Sequence, residues 1–180
     1  MASQEAKFSV LLNESPFEVR DYEPLVVAQT QVSGDFSEVG KQAFGRLFRY
    51  ITGHNLSQQK IAMTAPVIQQ QESPSQASGD WWVSFIMPAG SQLVDIPQPK
   101  DASVHLQEVP AQHMAVIRYS GSWSEASYNG HKRKLVRWLQ DKGYQASGEA
   151  IWARYNPPFT LWFLRRNEVL IPILMPSVDQ

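Results

Sequence analysis

Lys41, Gly45 and Arg49 stand four residues apart within a stretch, Phe36 to Ile51, whose apolar residues recur at three- and four-residue steps. On a helix that spacing puts the three in one line. Two cations then bracket a side-chain-free gap, about 12 Å apart along the axis. A mid-helix glycine costs about 1 kcal/mol relative to alanine, so the gap implies close approach of something, either a ligand or another part of the chain. Such a bracket suits a flat molecule with an anionic edge; the plainer alternative is two solvated surface charges. A second cluster follows Tyr155. The segment Pro157 to Leu164 (PPFTLWFL) carries Phe159, Trp162 and Phe163, with Arg165 and Arg166 directly after it. A run this apolar is either a buried strand or an exposed wall, and exposed apolar patches mark interaction surfaces. Glu168 alternates onto the strand face of Leu170. Buried there, with Tyr155 nearby, it could act as a general acid or base. An ion pair with Arg165 or Arg166 is the simpler role.

Other chemistries are excluded or weakened. Cysteine is absent, which removes disulfides, thiolate metal sites, thiol nucleophiles and the C-x-x-C-H attachment of covalent haem. None of the H-E-x-x-H, G-x-S-x-G, G-x-x-x-x-G-K-[ST] or G-x-G-x-x-G motifs occurs. A catalytic role is therefore not expected. With 16 basic and 17 acidic residues, the net charge of −1 gives no electrostatic reason to expect nucleic acid or an anionic membrane as partner. No stretch approaches the roughly 20 apolar residues of a membrane helix, and the N-terminal MASQEAKFSV lacks a secretory h-region. A cytoplasmic location is the resulting expectation. Of the four histidines, His54 sits in a turn, His105 reads as surface and His113 is uninformative. His131 lies at the margin of an apolar helical face and is the one weak metal-ligand candidate.

The elements that must position these residues come in two copies. Ser33-Gly34-Asp35-Phe36-Ser37-Glu38 returns as Ser120-Gly121-Ser122-Trp123-Ser124-Glu125, 87 residues later. Each copy follows a β-favouring run, Leu25 to Val32 or Met114 to Tyr119. Each precedes a helical pattern: Phe36, Val39, Ala43, Phe44, Leu47, Phe48 and Ile51 in the first, and Trp123, Ala126, Leu135, Trp138 and Leu139 in the second. Asp35 or Ser122 can cap the helix, with Glu38 or Glu125 completing a capping box; Gly53 and Gly143 supply the exits. Two further extended segments follow each helix: Lys60 to Ile68 and Trp81 to Met87, then Ala150 to Tyr155 and Asn167 to Ile173. The polar stretch Gln69 to Asp80 reads as a mobile hairpin loop, and the proline-rich Ile96 to Asp101 joins the halves. Strand-helix-strand-strand, used twice, predicts an α+β fold: a curved antiparallel sheet or distorted β-barrel flanked by two helices about a pseudo-two-fold axis. Halves of about 17–95 and 102–175 would each bury little core alone, so residues 1–180 are expected to form a single domain.

These residues resemble a known family. Phe17-Glu18-Val19-Arg20-Asp21-Tyr22, the block Phe44 to Gly53 with Lys60 to Val67 (KIAMTAPV), Tyr155-Asn156-Pro157-Pro158 and Arg165-Arg166-Asn167-Glu168-Val169 are similar to the successive signatures of SOUL/haem-binding proteins. The resemblance implies a distorted β-barrel with two flanking helices, and non-covalent binding of haem and related tetrapyrroles, metal-free porphyrin included. It places Lys41 and Arg49 at the propionates, Gly45 at the slot, Phe48 and Met63 on the apolar wall, and Phe159, Trp162 and Phe163 on a loop edging the ligand. Where some relatives carry a loop lysine, this chain has Thr160, leaving Arg165 or Arg166 as substitutes. Where some carry a histidine in the E-V-R-x-Y element, it has Asp21, so no axial ligand carries over. At the 87-residue offset Phe44 becomes His131 and Gly45 becomes Lys132, which predicts one site per chain. Two other readings stay open: a hydrophobic small-molecule binder or hydrolase of the wider superfamily, using a cleft carboxylate, and a protein-interaction module using the PPFTLWFL surface.

Overall fold

A computed structural model describes residues 3–72 and 79–176. Its strands are β1 (Gln4–Glu5), β2 (Phe8–Glu14), β3 (Phe17–Tyr22), β4 (Leu25–Ser33), β5 (Thr64–Ala65), β6 (Val67–Gln71), β7 (Asp80–Ile86), β8 (Val104–Val109), β9 (Gln112–Tyr119), β10 (Gln145–Ala146), β11 (Ile151–Arg154) and β12 (Asn167–Leu174). The helices are α1 (Phe36–Ile51) and α2 (Glu125–Lys142). One curled sheet runs in the order β2-β3-β9-β12-β11-β6-β7-β4-β8, antiparallel throughout, with β10 added on β12. This is the expected α+β half-barrel with two helices. Each half carries one strand more than the periodicity revealed, since β3 and β8 precede β4 and β9.

Those two extra strands interlock the halves. Phe17 of β3 stands opposite Ile117 of β9, and Val104 of β8 stands opposite Thr30 of β4. Adding 87 to 17 gives 104, and subtracting 87 from 117 gives 30. Each half's leading strand therefore pairs with the other half's second strand, in symmetric register, and the two-fold runs between β6 and β11 at the sheet's centre.

Alternation sends Val26, Ala28, Thr30 and Val32 to the face that carries the helices, and Leu25, Val27 and Gln29 to the other. On the helix face α1 buries Phe36, Val39, Gly40, Ala43, Leu47, Tyr50 and Ile51. Phe44 and Phe48 were expected in that stripe, but they are 36% and 44% exposed. In α2 the buried positions are Tyr128, Leu135, Trp138 and Leu139, and Ala126 is exposed. The buried faces superpose at an offset of 88, not 87: Gly40 on Tyr128, Leu47 on Leu135, Tyr50 on Trp138, Ile51 on Leu139. One residue is thus gained at the entrance to α2. It also moves the cap: Ser124, not Ser122, accepts the amide of Ser127 at 3.1 Å, and Glu125 is already helical. In α1, Asp35 is the N-cap residue but makes no side-chain cap bond; its carbonyl accepts the amides of Glu38 and Val39. Gly143 closes α2 in the left-handed conformation, and Gly53 follows the α1 cap at Thr52. Of the loop expected over Gln69 to Asp80, residues up to Gln71 and from Asp80 belong to β6 and β7, and 73–78 lie outside the described residues. Among the described residues no helix is long and apolar enough to cross a membrane.

Leu47 is fully buried, and a Cβ added at Gly45 would meet nothing within 4 Å. Leu47→Ala should therefore cost ~2–5 kcal/mol, whereas Gly45→Ala should gain up to ~1 kcal/mol. Urea unfolding midpoints of the two variants check both signs.

Candidate functional site

Two concavities flank the sheet. The first, on the face without helices, is a cavity of about 280 Å³ bordered by Leu25, Ile68, Met114, Tyr155 and Leu170. Behind it lies a dense ionic network. Arg20 reaches across β9 to Glu168 of β12 with two hydrogen bonds of 2.8 Å, and also donates to Tyr22 and Glu18. Tyr155 donates to Glu168 at 2.7 Å, and Arg166 donates to it through Nε and a terminal nitrogen. Glu168 is completely buried and Arg20 nearly so. Burial alone would push the Glu168 carboxyl up, but the hydrogen bonds and charge of Arg20, with Tyr155 and Arg166, outweigh it and hold the group below the usual carboxylate range. Burial and the neighbouring carboxylate together push the Tyr155 phenol well up. Glu168 is thus locked as an anion with its oxygens occupied, a poor arrangement for shuttling protons. The pairing foreseen with Arg166 exists, but the dominant partner, Arg20, lies 148 residues away.

The second concavity, on the helix face, is a groove of about 500 Å³ between α1 and the segment after β11. Phe36, Gly40, Lys41 and Phe44 form one wall, Val67 and Trp152 the base, and Trp123 and Pro158 the far side. The structure brings part of the expected constellation here. Lys41 stands at the edge, loosely paired with Glu38 at 3.1 Å and largely exposed. Phe44 lines the groove and stacks on Phe48, centroids 5.6 Å apart. Met63 is 39% exposed. Gly45 faces open space, so it packs against no strand. Arg49 is exposed and 3.9 Å from Asp101; neither it nor Gly45 borders the groove.

The Pro157 to Leu164 segment is no strand. It turns through a short 3-10 helix, Trp162–Leu164, and leaves Phe159, Trp162 and Phe163 exposed. Arg165 holds that shape by donating to the carbonyls of Thr160 and Pro158, both at 2.9 Å, while lying 4.2 Å over Trp123. Arg166 is committed elsewhere, to Glu168 and to Glu5 at 3.1 Å, and neither arginine borders the groove, although Arg165 lies over its Trp123. His131 stacks on Tyr119 at 3.7 Å with Nδ1 2.7 Å from the Ser127 carbonyl, packing α2 on β9 away from the groove.

The sequence reading missed Arg154. Alternation along β11 puts it beside Trp152 on the helix face, where it forms part of the groove floor. Its guanidinium lies 4.7 Å from the Trp152 ring and 5.4 Å from Trp123. Its Nε is enclosed without any hydrogen-bond partner. Among the described residues no carboxylate comes within 4 Å of it. Desolvation pulls this guanidinium down to about 10, so it remains protonated at neutral pH.

Comparison with known proteins places this geometry. The sequence matches the SOUL heme-binding protein family over residues 3–172. The chain belongs to that family. Relatives include Heme-binding protein 1 of Xenopus tropicalis, 28% identical over 160 residues that cover 84% of each chain, and Heme-binding protein 2 of Homo sapiens, 27% identical over 164 residues, 84% of this chain and 79% of that one. Among solved structures, the EcmrR C-terminal domain superposes with a TM-score of 0.69 at 13% identity, covering 88% of this chain and 96% of that chain. A hydrolase from Listeria innocua follows at 0.60 and 9%, covering 91% and 94%. At such identities the structural likenesses establish the shared SOUL-type fold and nothing about chemistry.

Removing one member of a buried ion pair leaves its partner uncompensated, at a cost of ~3–5 kcal/mol. Glu168→Gln should destabilise the protein by about that much at pH 7. Because the folded-state carboxyl is held low, its stabilisation is complete above the ordinary value of 4.5 and fades as pH falls below it. Unfolding midpoints of wild type and variant, measured in steps of about one pH unit, should therefore draw together as the pH falls below 4.5.

Proposed function

We propose that this chain binds haem and related tetrapyrroles non-covalently, one per chain, in the groove between α1 and the Pro157 to Leu164 segment, and that it serves as a cytoplasmic carrier or buffer. The observation that carries the reading is where the chain spends its exposed aromatic surface. Trp81, Trp138 and Trp152 are buried, while Phe44, Phe48, Phe159, Trp162 and Phe163 stay open to solvent, and the groove joins the two stretches that bear them. Apolar patches of that kind are kept for ligands or partners, and a porphyrin supplies flat apolar faces to cover them. Membership of a haem-binding family selects the tetrapyrrole among such ligands. The residues fit: aromatic walls, Lys41 at the rim and a cation on the floor. In the second half, the face of α2 that corresponds to Phe44, Gly45 and Phe48 at the 88-residue offset is Lys132, Arg133 and Val136, which argues for a single site. Residues 1–180 would act in this as one domain, its halves sharing one sheet.

Binding would rest on buried ring area, at ~25 cal/mol per Å², with little from the metal, because His131 lies outside the groove. Haemin should saturate at one equivalent, read by the Soret band and by quenching of tryptophan fluorescence. Phe44→Asp should weaken it more than tenfold, a change of ~1.4 kcal/mol. Lys41→Glu with Arg49→Glu should weaken it less, since both charges are exposed and worth ~1 kcal/mol or below. Two equal sites, or no saturation, would refute the proposal. Metal-free protoporphyrin should bind within about tenfold of haemin, and His131→Ala should leave the Soret position unchanged. A six-coordinate spectrum that collapses in that variant would make His131 an axial ligand.

A further inference from the structure

The cations at the rim and the cation on the floor differ in kind. Lys41 and Arg49 are solvated and each already has an acidic neighbour, Glu38 or Asp101. Arg154 has none among the described residues, and its Nε is enclosed without a hydrogen-bond partner. Tryptophan faces orient a guanidinium through cation–π attraction but satisfy neither its donors nor its charge. Elsewhere the chain pairs a buried arginine fully, as Arg20 shows. The floor of the 500 Å³ groove thus presents a cation that no carboxylate of the described residues neutralises.

The helix above is shaped around this group. A Cβ at Gly40 would sit 3.1 and 3.2 Å from the two terminal nitrogens of Arg154. Gly40 thus accepts the helix cost of glycine where the guanidinium needs room. At the equivalent position of α2 stands Tyr128, fully packed into the core. One half fills this seat with a ring; the other keeps it clear for a cation.

We infer that Arg154 is the carboxylate anchor of the groove, so that the ligands it accepts are flat aromatic compounds entering acid-edge first, and their esters or neutral analogues are discriminated against. The inference rests on the groove being the ligand site proposed above, and it names what that site selects. A planar guanidinium matches a carboxylate with two parallel hydrogen bonds, and at the base of an aromatic-walled slot only a ligand with an apolar plane behind its acid can reach it.

The test compares acid and neutral forms of two probes, haemin against its dimethyl ester and 1-pyrenebutyrate against 1-pyrenebutanol, on wild type, Arg154→Met, Arg154→Lys and Gly40→Ala. Wild type should prefer each acid by tenfold or more. Arg154→Met should bind acid and neutral forms within about twofold of each other, Arg154→Lys should recover part of the preference, and Gly40→Ala, which displaces the guanidinium, should reduce it. The ligand-free Arg154→Met protein should melt no lower than wild type, because an unpaired charge has been removed; the Gly40→Ala and Arg154→Lys comparisons decide the matter if it does melt lower. Equal binding of acid and ester by wild type, or an undiminished preference in Arg154→Met, overturns the anchor while leaving haem binding standing. An Arg154-dependent preference for pyrenebutyrate without haemin binding sustains the anchor and overturns the haem reading. Failure of both acids to bind overturns both.

Discussion

The pair Arg20–Glu168 is the constraint around which the sheet is organised. It joins β3, which opens the first half, to β12, which ends the second, by reaching over β9 between them. A strand's side chains alternate between faces, so a one-residue slip of β3 would turn Arg20 into the helix-side core and Val19 toward the cavity. Desolvation makes that alternative costly for an arginine that has lost its carboxylate partner. The pair contributes less through net attraction, much of which is spent on dehydrating both groups, than through the one register it permits. The same saturation that makes Glu168 a good register pin makes it a poor acid or base. The likeness to a protein called a hydrolase, at 9% identity, is a likeness of fold.

Against that pin, Arg154 is the contrast that gives the molecule a direction. Both arginines are drawn into the protein, and both lie over aromatic rings. One is matched by a carboxylate of its own chain and the other is not. An unmatched charge is a stability cost of the sort that survives where a ligand relieves it. The two faces of the sheet thus have opposite roles: the Arg20 face is closed chemistry that holds strands in place, and the Arg154 face is open chemistry that waits for a partner.

How much of this was legible beforehand follows the distance over which each feature is encoded. The helices, β4 and β9, and the paired segments after each helix are written in local periodicity, and the Ser-Gly turns that open each helix are local too. The interlocking of β3 with β9 and of β8 with β4 is not local; it depends on pairing between residues 74 to 100 positions apart, and β3 was visible only as a family signature. Phe44 and Phe48 were assigned to the apolar helical stripe because they fit its period, with Phe48 also a candidate for the ligand wall. The surplus was the available clue: adding them to Phe36, Val39, Ala43, Leu47 and Ile51 makes the stripe wider than one buried face. Arg154 was not singled out by any motif or period. Its alternation with Trp152, on a four-residue strand placed mid-sheet, carried the only hint that it points inward.

The single residue gained at the start of α2 ties these observations together. The extra residue is absorbed before the helix begins, so the buried faces of α1 and α2 still superpose, at an offset of 88. At that offset Tyr128 stands where Gly40 lies in α1. Filling that seat consolidates the core of the second half and removes any space for a cation beneath the helix. Beneath α1 the glycine and the space are kept, and the arginine that enters that space comes from β11 of the second half. An internal duplication therefore need not yield two sites. Here the symmetry survives in the backbone, where strand register requires it, and is broken at the one helix position where a side chain decides between a packed core and an open groove.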